Sequence, residues 1–278
     1  MKNILVTGGY GQLGQELSKI LPSALYTSSE DLDITDVHSL YDFVNNNNVE
    51  TIINCAAYTA VDNAESDRSY AMQINSVGVK NLASVGKKLI HISTDYVFDG
   101  QSGVPYREID KANPLSVYGV TKLCGEQYVL QSKTPGIVIR TSWLYSNNGK
   151  NFFKTMQRLG KEKESVNVVA DQYGTPTYAH DLADVIVNIV PQMNAANSGL
   201  YHFSNMGECS WYDFACEIMK LSNLKCNVKP ITTQEYPTRA IRPQYSVLDK
   251  SRIQRIFGIK IDTWQNALQR CINEKTKG

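Results

Sequence analysis

The 278-residue chain has no long apolar run, almost no net charge and no cysteine pattern typical of a metal site. Its apolar runs are far shorter than the ~20 residues that a membrane-spanning helix needs. A formal net charge of +1 gives no electrostatic reason to expect nucleic acid or a membrane surface as a partner. The six cysteines form no Cys-x-x-Cys pair, and the start at Met1 does not resemble a signal peptide. These absences predict a cytoplasmic protein with reduced cysteines and no bound metal.

What the sequence does contain is a regular alternation of short apolar strands and helices. The predicted strands of the first half cover 2–7, 24–26, 51–54, 88–93 and 136–141, and the predicted helices 11–20, 37–44, 68–86 and 117–131. Such alternation predicts an α/β fold, a Rossmann-type doubly wound parallel sheet with a smaller C-terminal substrate-binding cap. We expect residues 1–145 to form the NAD(P)-binding domain and 146–278 mainly the cap, with some segments returning to the first domain.

A glycine-rich turn follows the first predicted strand. Gly8, Gly11 and Gly14 are spaced three apart, with Gln12 and Leu13 between the last two. The first glycine permits a tight turn, the second lets backbone approach a phosphate, and the third lets the helix pack against the strand. This pattern predicts a dinucleotide pyrophosphate site, although a tight turn without a ligand would use the same glycines.

The end of the second predicted strand indicates which cofactor binds. The segment 26–29 reads Tyr-Thr-Ser-Ser, with neither the acid that favours NAD nor an arginine for the extra phosphate of NADP. We therefore favour NADP(H), with NAD(H) possible. Asp33 and Ile34 are predicted to reach the adenine, although Asp33 could equally be a helix-capping or turn residue. A small-residue segment is predicted to lie under the pyrophosphate and nicotinamide; its members are Ala56, Ala57 and Tyr58.

Three further residues have the spacing of a catalytic group. Tyr118 and Lys122 project from one face of a helix, where the ammonium would favour the phenolate and make the tyrosine an acid/base. Thr94 ends a strand, so its hydroxyl can meet Tyr118 at the carboxyl edge of the sheet and hold a carbonyl oxygen. Taken singly, each side chain is more often a packing or surface residue. Together, behind the glycine turn, they predict hydride transfer with tyrosine as the proton donor.

Six segments resemble the extended short-chain dehydrogenases/reductases over nearly the whole chain. They read NCAAYTAVDNAE (54–65), STDYVF (93–98), YGVTK (118–122), RTSWLY (140–145), DQYGTPT (171–177) and RPQYS (242–246). The resemblance implies reduction of the 4-keto group of dTDP-4-dehydro-L-rhamnose to dTDP-L-rhamnose, so the expected partner is a nucleotide-sugar substrate. It also implies roles for further residues. Thr94 and Asp95 would contact the sugar, Trp143 would pack on its apolar face, and Asn151 and Arg242 would contact the diphosphate and nucleotide.

Other interpretations stay open at this stage. Trp143 could be a buried aromatic, and Arg242 a surface charge. Related dehydratases carry Asp-Glu where this chain has Asp95-Tyr96, which argues against dehydration but leaves an epimerase or a non-catalytic NADP-binding subunit. Some relatives dimerise through a magnesium site built from glutamates. Glu16 matches one of them, but 178–181 reads Tyr-Ala-His-Asp where another would fall. We therefore expect no metal, and a monomer or homodimer.

Overall fold

The computed structural model describes residues 3–275, and within them a six-stranded parallel sheet forms the centre of the molecule. Its strand order is β10-β5-β4-β3-β1-β2. The strands are β1 Ile4–Thr7, β2 Leu25–Thr27, β3 Thr51–Asn54, β4 Lys88–Thr94, β5 Gly136–Thr141, β6 Leu144–Tyr145, β7 Ser165–Val169, β8 Tyr173–Gly174, β9 Thr177–Tyr178, β10 Gly199–His202, β11 Cys209–Ser210 and β12 Asn227–Ile231. The predicted Rossmann-type doubly wound sheet is confirmed.

Helices cover both faces of this sheet and build most of the remaining structure. They are α1 Gln12–Ile20, α2 Val37–Asn46, α3 Val61–Ala64, α4 Arg68–Met72, α5 Val79–Ser84, α6 Val117–Leu130, α7 Phe152–Glu162, α8 Ala179–Ile189, α9 Trp211–Leu221, α10 Ser251–Phe257 and α11 Trp264–Lys275. Polar side chains start several of them: Asp36 accepts hydrogen bonds from the first backbone N–H groups of α2, and Ser116 does so for α6. Among the described residues, no helix is both long and apolar enough to cross a membrane.

Alternate residues of the central strands pack on opposite faces of the sheet. Ile4, Val6 and Ile53 belong to one apolar cluster, which includes buried residues of α1, α8 and α10. Leu5 and Ile52 belong to another, which includes residues of α2 and α5. A third cluster lies in the second half of the chain, between α7, α9, α11, β7 and β12. Because α8 packs on the central sheet and β10 is one of its strands, the second half of the chain contributes to its core. The division at residue 145 stays a prediction.

The predicted helix 68–86 is interrupted by a π-helical turn at Gln73–Gly78. This wider turn brings Asn75 inward, where its side chain is completely buried. Its Oδ1 accepts from the Tyr58 N–H at 2.8 Å, and its Nδ2 donates to the Tyr58 carbonyl at 3.1 Å. Periodicity alone does not reveal such a turn, which is common near functional sites. Here it stabilises the loop that follows β3.

A buried ion pair joins α6 to the sheet. Arg140 Nε and Nη2 of β5 donate to the two carboxylate oxygens of Glu126 at 2.8 and 2.7 Å. Ser93 of β4 donates to the same carboxylate at 2.5 Å. Both charged side chains are almost fully shielded from water, at 4% and 0% exposure. An ion pair in such a place is costly to break, because the remaining charge keeps no partner.

We predict that Glu126→Gln lowers the free energy of unfolding by about 3 kcal/mol, because it leaves Arg140 charged and buried. Urea unfolding followed by circular dichroism measures the loss. Glu162→Gln is the matched control, since it breaks an exposed pair with Arg158 at 2.7 Å and should cost less than about 1 kcal/mol. Equal losses in the two variants would contradict the prediction.

Candidate active site

A cleft of about 1030 Å³ opens at the carboxyl ends of β1, β3, β4 and β5. Ligands of open α/β sheets bind at this edge, because the loops that follow the strands leave a crevice there. Most of the predicted site residues line the cleft. They are Gly8, Gly11, Gln12, Leu13, Asp33, Ile34, Ala56, Ala57, Thr94, Asp95, Tyr118, Lys122, Trp143 and Asn151.

The glycine turn has the shape that a phosphate cradle requires. Gly8 has φ +67°, and a Cβ there would lie 2.6 Å from the Ala56 nitrogen. A Cβ on Gly14 would lie 2.3 Å from the Gly9 carbonyl oxygen. Helix α1 begins after Gly11, where no side chain accepts a hydrogen bond from the first N–H groups of the helix. This uncapped N-terminus, with the glycine turn before it, fits the pyrophosphate of a dinucleotide.

Two of the predicted binding residues, Asn151 and Asp33, also form hydrogen bonds within the protein. Asn151 Nδ2 donates to Gln12 Oε1 at 2.7 Å, while Asn151 Oδ1 accepts from the Lys154 N–H and caps α7. Asp33 Oδ1 accepts from both the N–H and the hydroxyl of Thr35, so the turn interpretation of Asp33 describes its local geometry. Both side chains still border the cleft.

Tyr118 lies in the first turn of α6 and faces the cleft. The start of this helix is held twice, because Ser116 Oγ accepts from the Gly119 N–H at 3.1 Å and Glu65 Oε1 from the Val117 N–H at 2.9 Å. Burial raises the pKa of Tyr118 to about 12, while a hydrogen bond with Thr94 acts in the opposite direction. The sequence predicts that Lys122 lowers this pKa, but the dominant effect in the structure is burial, which raises it. The phenol therefore keeps its proton at neutral pH, as a proton donor must.

Lys122 lies one turn further along α6 and is only 2% exposed. Its Nζ donates to the Ile92 carbonyl at 2.6 Å. Burial lowers the pKa of Lys122 to about 8, against the opposing effect of the Glu126 carboxylate. The amine can therefore change its protonation state within the neutral to mildly alkaline range.

Thr94 ends β4, Asp95 begins the short 3-10 turn that follows it, and both line the cleft with Tyr118. The Thr94 hydroxyl donates to Asp95 Oδ1 at 3.1 Å, and Asp95 Oδ2 has no partner among the described residues. The Asp95 side chain is 2% exposed, and burial raises its pKa to about 6. A carboxyl group that titrates near neutrality is thus placed in the wall of the cleft.

Trp143 has an unusual backbone for a large residue, with φ +49°. Its indole stacks on that of Trp211, with ring centroids 3.5 Å apart and planes within 9°. Trp211 lies in the first turn of α9 and also borders the cleft. Sequence reasoning missed Trp211, and the only signal was a tryptophan at the start of an amphipathic helix. The stack forms an aromatic wall of the cleft.

Arg242, Tyr58 and Gly14 are the predicted site residues that do not border the cleft in this structure. The Arg242 guanidinium donates to the two carboxylate oxygens of Asp62 at 3.2 and 2.7 Å. Tyr58 is anchored through its backbone to Asn75, and Gly14 lies at the buried contact described above. The roles assigned to all three stay predictions.

Glu16 is buried and surrounded by nitrogen donors. Lys19 Nζ lies 2.7 Å and His180 Nδ1 3.3 Å from Glu16 Oε2, and Asn148 Nδ2 donates to Glu16 Oε1 at 3.1 Å. Among residues 3–275 there is no group of three or more histidine, cysteine, aspartate or glutamate side chains placed to hold a metal ion. The expectation that no metal binds stays a prediction.

Comparison with known proteins identifies the family to which this chain is similar over nearly its whole length. The family model described as the RmlD substrate binding domain matches residues 1–277. The dTDP-4-dehydrorhamnose reductase of Aggregatibacter actinomycetemcomitans is 41% identical over 97% of this chain and 98% of its own. A crystal structure of a dTDP-4-dehydrorhamnose reductase from Clostridium acetobutylicum has a TM-score of 0.94 and 43% identity, over 99% of this chain and 100% of that one. The enzyme of the same name from Bacillus anthracis, in complex with NADP, has a TM-score of 0.94 and 41% identity over the same shares.

We predict that Asp95→Asn stabilises the chain at neutral pH but not at acid pH. The folded-state pKa of Asp95 lies above the unfolded value, so its contribution to stability is complete below pH ~4 and is lost as the pH rises through ~6. Asparagine does not ionise, so the variant should gain roughly 3 kcal/mol over wild type between pH ~4 and ~7.5.

Urea unfolding of both proteins across this pH range checks the prediction. The exposed Asp42→Asn controls for the loss of one negative charge, and its stability should follow the wild-type pH dependence. A parallel pH dependence in wild type and Asp95→Asn would show that Asp95 does not titrate as described.

Proposed function

The chain belongs to the RmlD substrate binding domain family, and we propose that it uses NADP(H) to reduce the 4-keto group of dTDP-4-dehydro-L-rhamnose, forming dTDP-L-rhamnose. The observation that carries this proposal is the combination of near full-length similarity to dTDP-4-dehydrorhamnose reductases with a cleft that contains Thr94, Tyr118 and Lys122 together. Sequence similarity supports the substrate, and the side chains support the reaction type.

NADPH, when bound, supplies the hydride that adds to the carbonyl carbon of the sugar. The protein must then hold the ketone, and must give a proton to the oxygen as negative charge develops there. Tyr118 suits the second task, because burial keeps its phenol protonated. Thr94, whose hydroxyl lies beside Tyr118 and Asp95, would hold the ketone oxygen. Lys122 would orient the nicotinamide ribose and then help to restore the proton of Tyr118.

The cap side of the cleft would select the sugar. The Trp143–Trp211 stack presents an apolar surface suited to the apolar face of a deoxysugar ring. Asp95 would bind a sugar hydroxyl. Arg242 would reach the nucleotide diphosphate only after exchanging its contacts with Asp62, since that pair holds it in this structure.

NADP(H) is the favoured cofactor, with NAD(H) possible. The NADP complex of the Bacillus anthracis enzyme supports this preference. At the end of β2 the Ser28 N–H and hydroxyl both donate to Asp31 Oδ2 at 2.8 Å, so a carboxylate folds back towards the region expected to bind the adenosine ribose. An acid near this position is compatible with NAD, and we therefore keep both cofactors in the proposal.

We place this activity in the cytoplasm. All six cysteines are free, as expected in a reducing compartment. We also propose that the protein is a monomer or a homodimer, as the sequence predicts.

The proposal predicts that the chain oxidises NADPH when dTDP-4-dehydro-L-rhamnose, made in situ, is supplied. The loss of NADPH absorbance follows the reaction, with NADH and a panel of dTDP- and UDP-4-keto sugars as comparisons. Faster turnover with a UDP-4-keto sugar than with dTDP-4-dehydro-L-rhamnose would contradict the proposed substrate. Absence of turnover by folded protein that still binds NADPH would contradict the reductase and favour a non-catalytic NADP-binding subunit.

We predict that Tyr118→Phe keeps NADPH binding but loses at least about 100-fold in kcat, because the proton donor is removed while the ring stays. Tyr128→Phe is the matched control, since it removes a phenol from an exposed position on the same helix. NADPH binding by fluorescence and turnover by absorbance separate the two effects. If Tyr118→Phe reduced the ketone at close to the wild-type rate, the role assigned to Tyr118 would be wrong.

A further inference from the structure

A row of polar side chains crosses the middle of the sheet and ends at Lys122. Thr7 pairs with Asn54 across β1 and β3, and Asn54 pairs with His91 across β3 and β4. Directly paired residues of parallel strands point to the same face, and here that face meets α6. All three side chains are buried, with His91 at 0% exposure. Polar groups in such a position need partners, so each hydrogen bond of the row constrains the next one.

The orientation of the Asn54 amide follows from the backbone. Asn54 Oδ1 accepts from the Ala56 N–H at 3.1 Å, and a backbone N–H can only donate. The amide oxygen therefore points towards Ala56, where it also accepts from the Thr7 hydroxyl at 2.7 Å. The amide nitrogen consequently faces His91 Nδ1, at 2.9 Å.

This orientation determines the tautomer of His91. An amide nitrogen donates, so His91 Nδ1 must accept and carries no proton. Burial and the neighbouring Lys122 hold the pKa of His91 well below its usual range, so the ring is neutral. Its one N–H is therefore on Nε2, and Nε2 lies 3.4 Å from Lys122 Nζ.

An N–H directed at Nζ fits a neutral amine better than an ammonium. A neutral amine can donate to the Ile92 carbonyl, at 2.6 Å, and accept from His91 Nε2–H with its lone pair. An ammonium has only donors, so its positive charge would face the positive end of the His91 N–H bond. We propose that His91, fixed by Asn54 with its proton on Nε2, is a positioning residue that weakens the hold of Lys122 on its own proton.

The other titratable groups that face Lys122 do not supply this effect. Glu126, one turn along α6, is a carboxylate already paired with Arg140, and it raises the pKa of Lys122. Cys55, which follows β3, has its pKa raised to about 12 by burial and is a neutral thiol. Burial and the His91 N–H are therefore the two features that oppose the ammonium.

The consequence for the reaction rests on the proposed function. After Tyr118 gives its proton to the reduced oxygen, a phenolate remains and must be reprotonated. The phenolate is a strong base, since the pKa of Tyr118 is about 12. A lysine with a pKa of about 8 gives its proton to that phenolate with a larger driving force than one with the ordinary value near 10.4. Asn54 and His91 thus adjust the proton donor that restores Tyr118, without contacting the substrate.

The test is a substitution that should reverse the tautomer of His91. In Asn54→Asp the carboxylate can only accept, so His91 should move its proton to Nδ1 and present a lone pair to the Lys122 ammonium. Histidine ¹⁵N spectra of the full chain with NADPH read the tautomer, because protonated and unprotonated ring nitrogens have well separated shifts. Single substitution of each of the four histidines assigns the signals, by elimination if a His91 variant does not fold. Lysine ¹³Cε shifts read the Lys122 titration, assigned by its loss in Lys122→Met.

We expect the proton of His91 on Nε2 in wild type and on Nδ1 in Asn54→Asp. The Lys122 midpoint should rise by about one pH unit, a tenfold change in proton affinity. The charge of the new carboxylate also raises this midpoint, so His91→Phe, which removes the Nε2–H without adding a charge, is compared and should raise the midpoint as well. The loss of kcat/KM at alkaline pH should shift upward with it. Thr7→Val is the matched control: it removes one donor to Asn54 Oδ1 but leaves the Ala56 N–H, so tautomer and midpoint should not change.

Three results would overturn the proposal: a wild-type proton on Nδ1, an unchanged Lys122 midpoint after the tautomer has reversed, or a Thr7→Val shift equal to that of Asn54→Asp. The wild-type spectrum is decisive by itself even if Asn54→Asp does not fold. Because the spectra need no turnover, an inactive protein with the expected tautomer would contradict the proposed function and leave this inference standing.

Discussion

Helix α6 meets β4 and β5 through buried polar contacts as well as apolar ones, and the candidate active site depends on where these contacts hold it. Glu126 binds Arg140 and Ser93 of the sheet, and Lys122 binds the Ile92 carbonyl. Apolar packing alone tolerates small shifts of a helix, whereas hydrogen bonds require donor and acceptor to keep a limited range of distance and angle. The helix is thereby held in a register that places Tyr118 beside Thr94.

The same exclusion of water determines the chemistry of the cleft. Burial disfavours every charged form, so it raises the pKa values of Tyr118 and Asp95 and lowers that of Lys122. A protonated phenol, a carboxyl group near its titration point and a lysine near its own then lie within one crevice. Burial is thus the one physical cause that gives these three residues, despite their different chemistry, protonation states suited to proton transfer.

Much of this arrangement could be predicted from the chain because its signals are local. The run Ile4 to Thr7, followed by Gly8, indicates a buried strand and a tight turn through side-chain volume alone. The spacing of Tyr118 and Lys122 places both on one face of a helix in any fold. The pairing of Arg242 with Asp62 was beyond such reasoning, because the two residues are 180 positions apart and nothing in their neighbourhoods specifies the contact. The same holds for the stack of Trp143 on Trp211.

The sequence by itself determined the alternation of strands and helices, the glycine turn, the tyrosine–lysine pair and the resemblance to the reductase family. These follow from periodicity, backbone freedom and residue type, which act over a few positions. Only the tertiary structure decided the burial that raises the pKa of Tyr118, the exclusion of Arg242 from the cleft lining and the row that joins Thr7, Asn54 and His91 to Lys122. Burial and hydrogen-bond direction depend on which distant segments surround a group, and the order of residues along the chain does not contain that information in readable form.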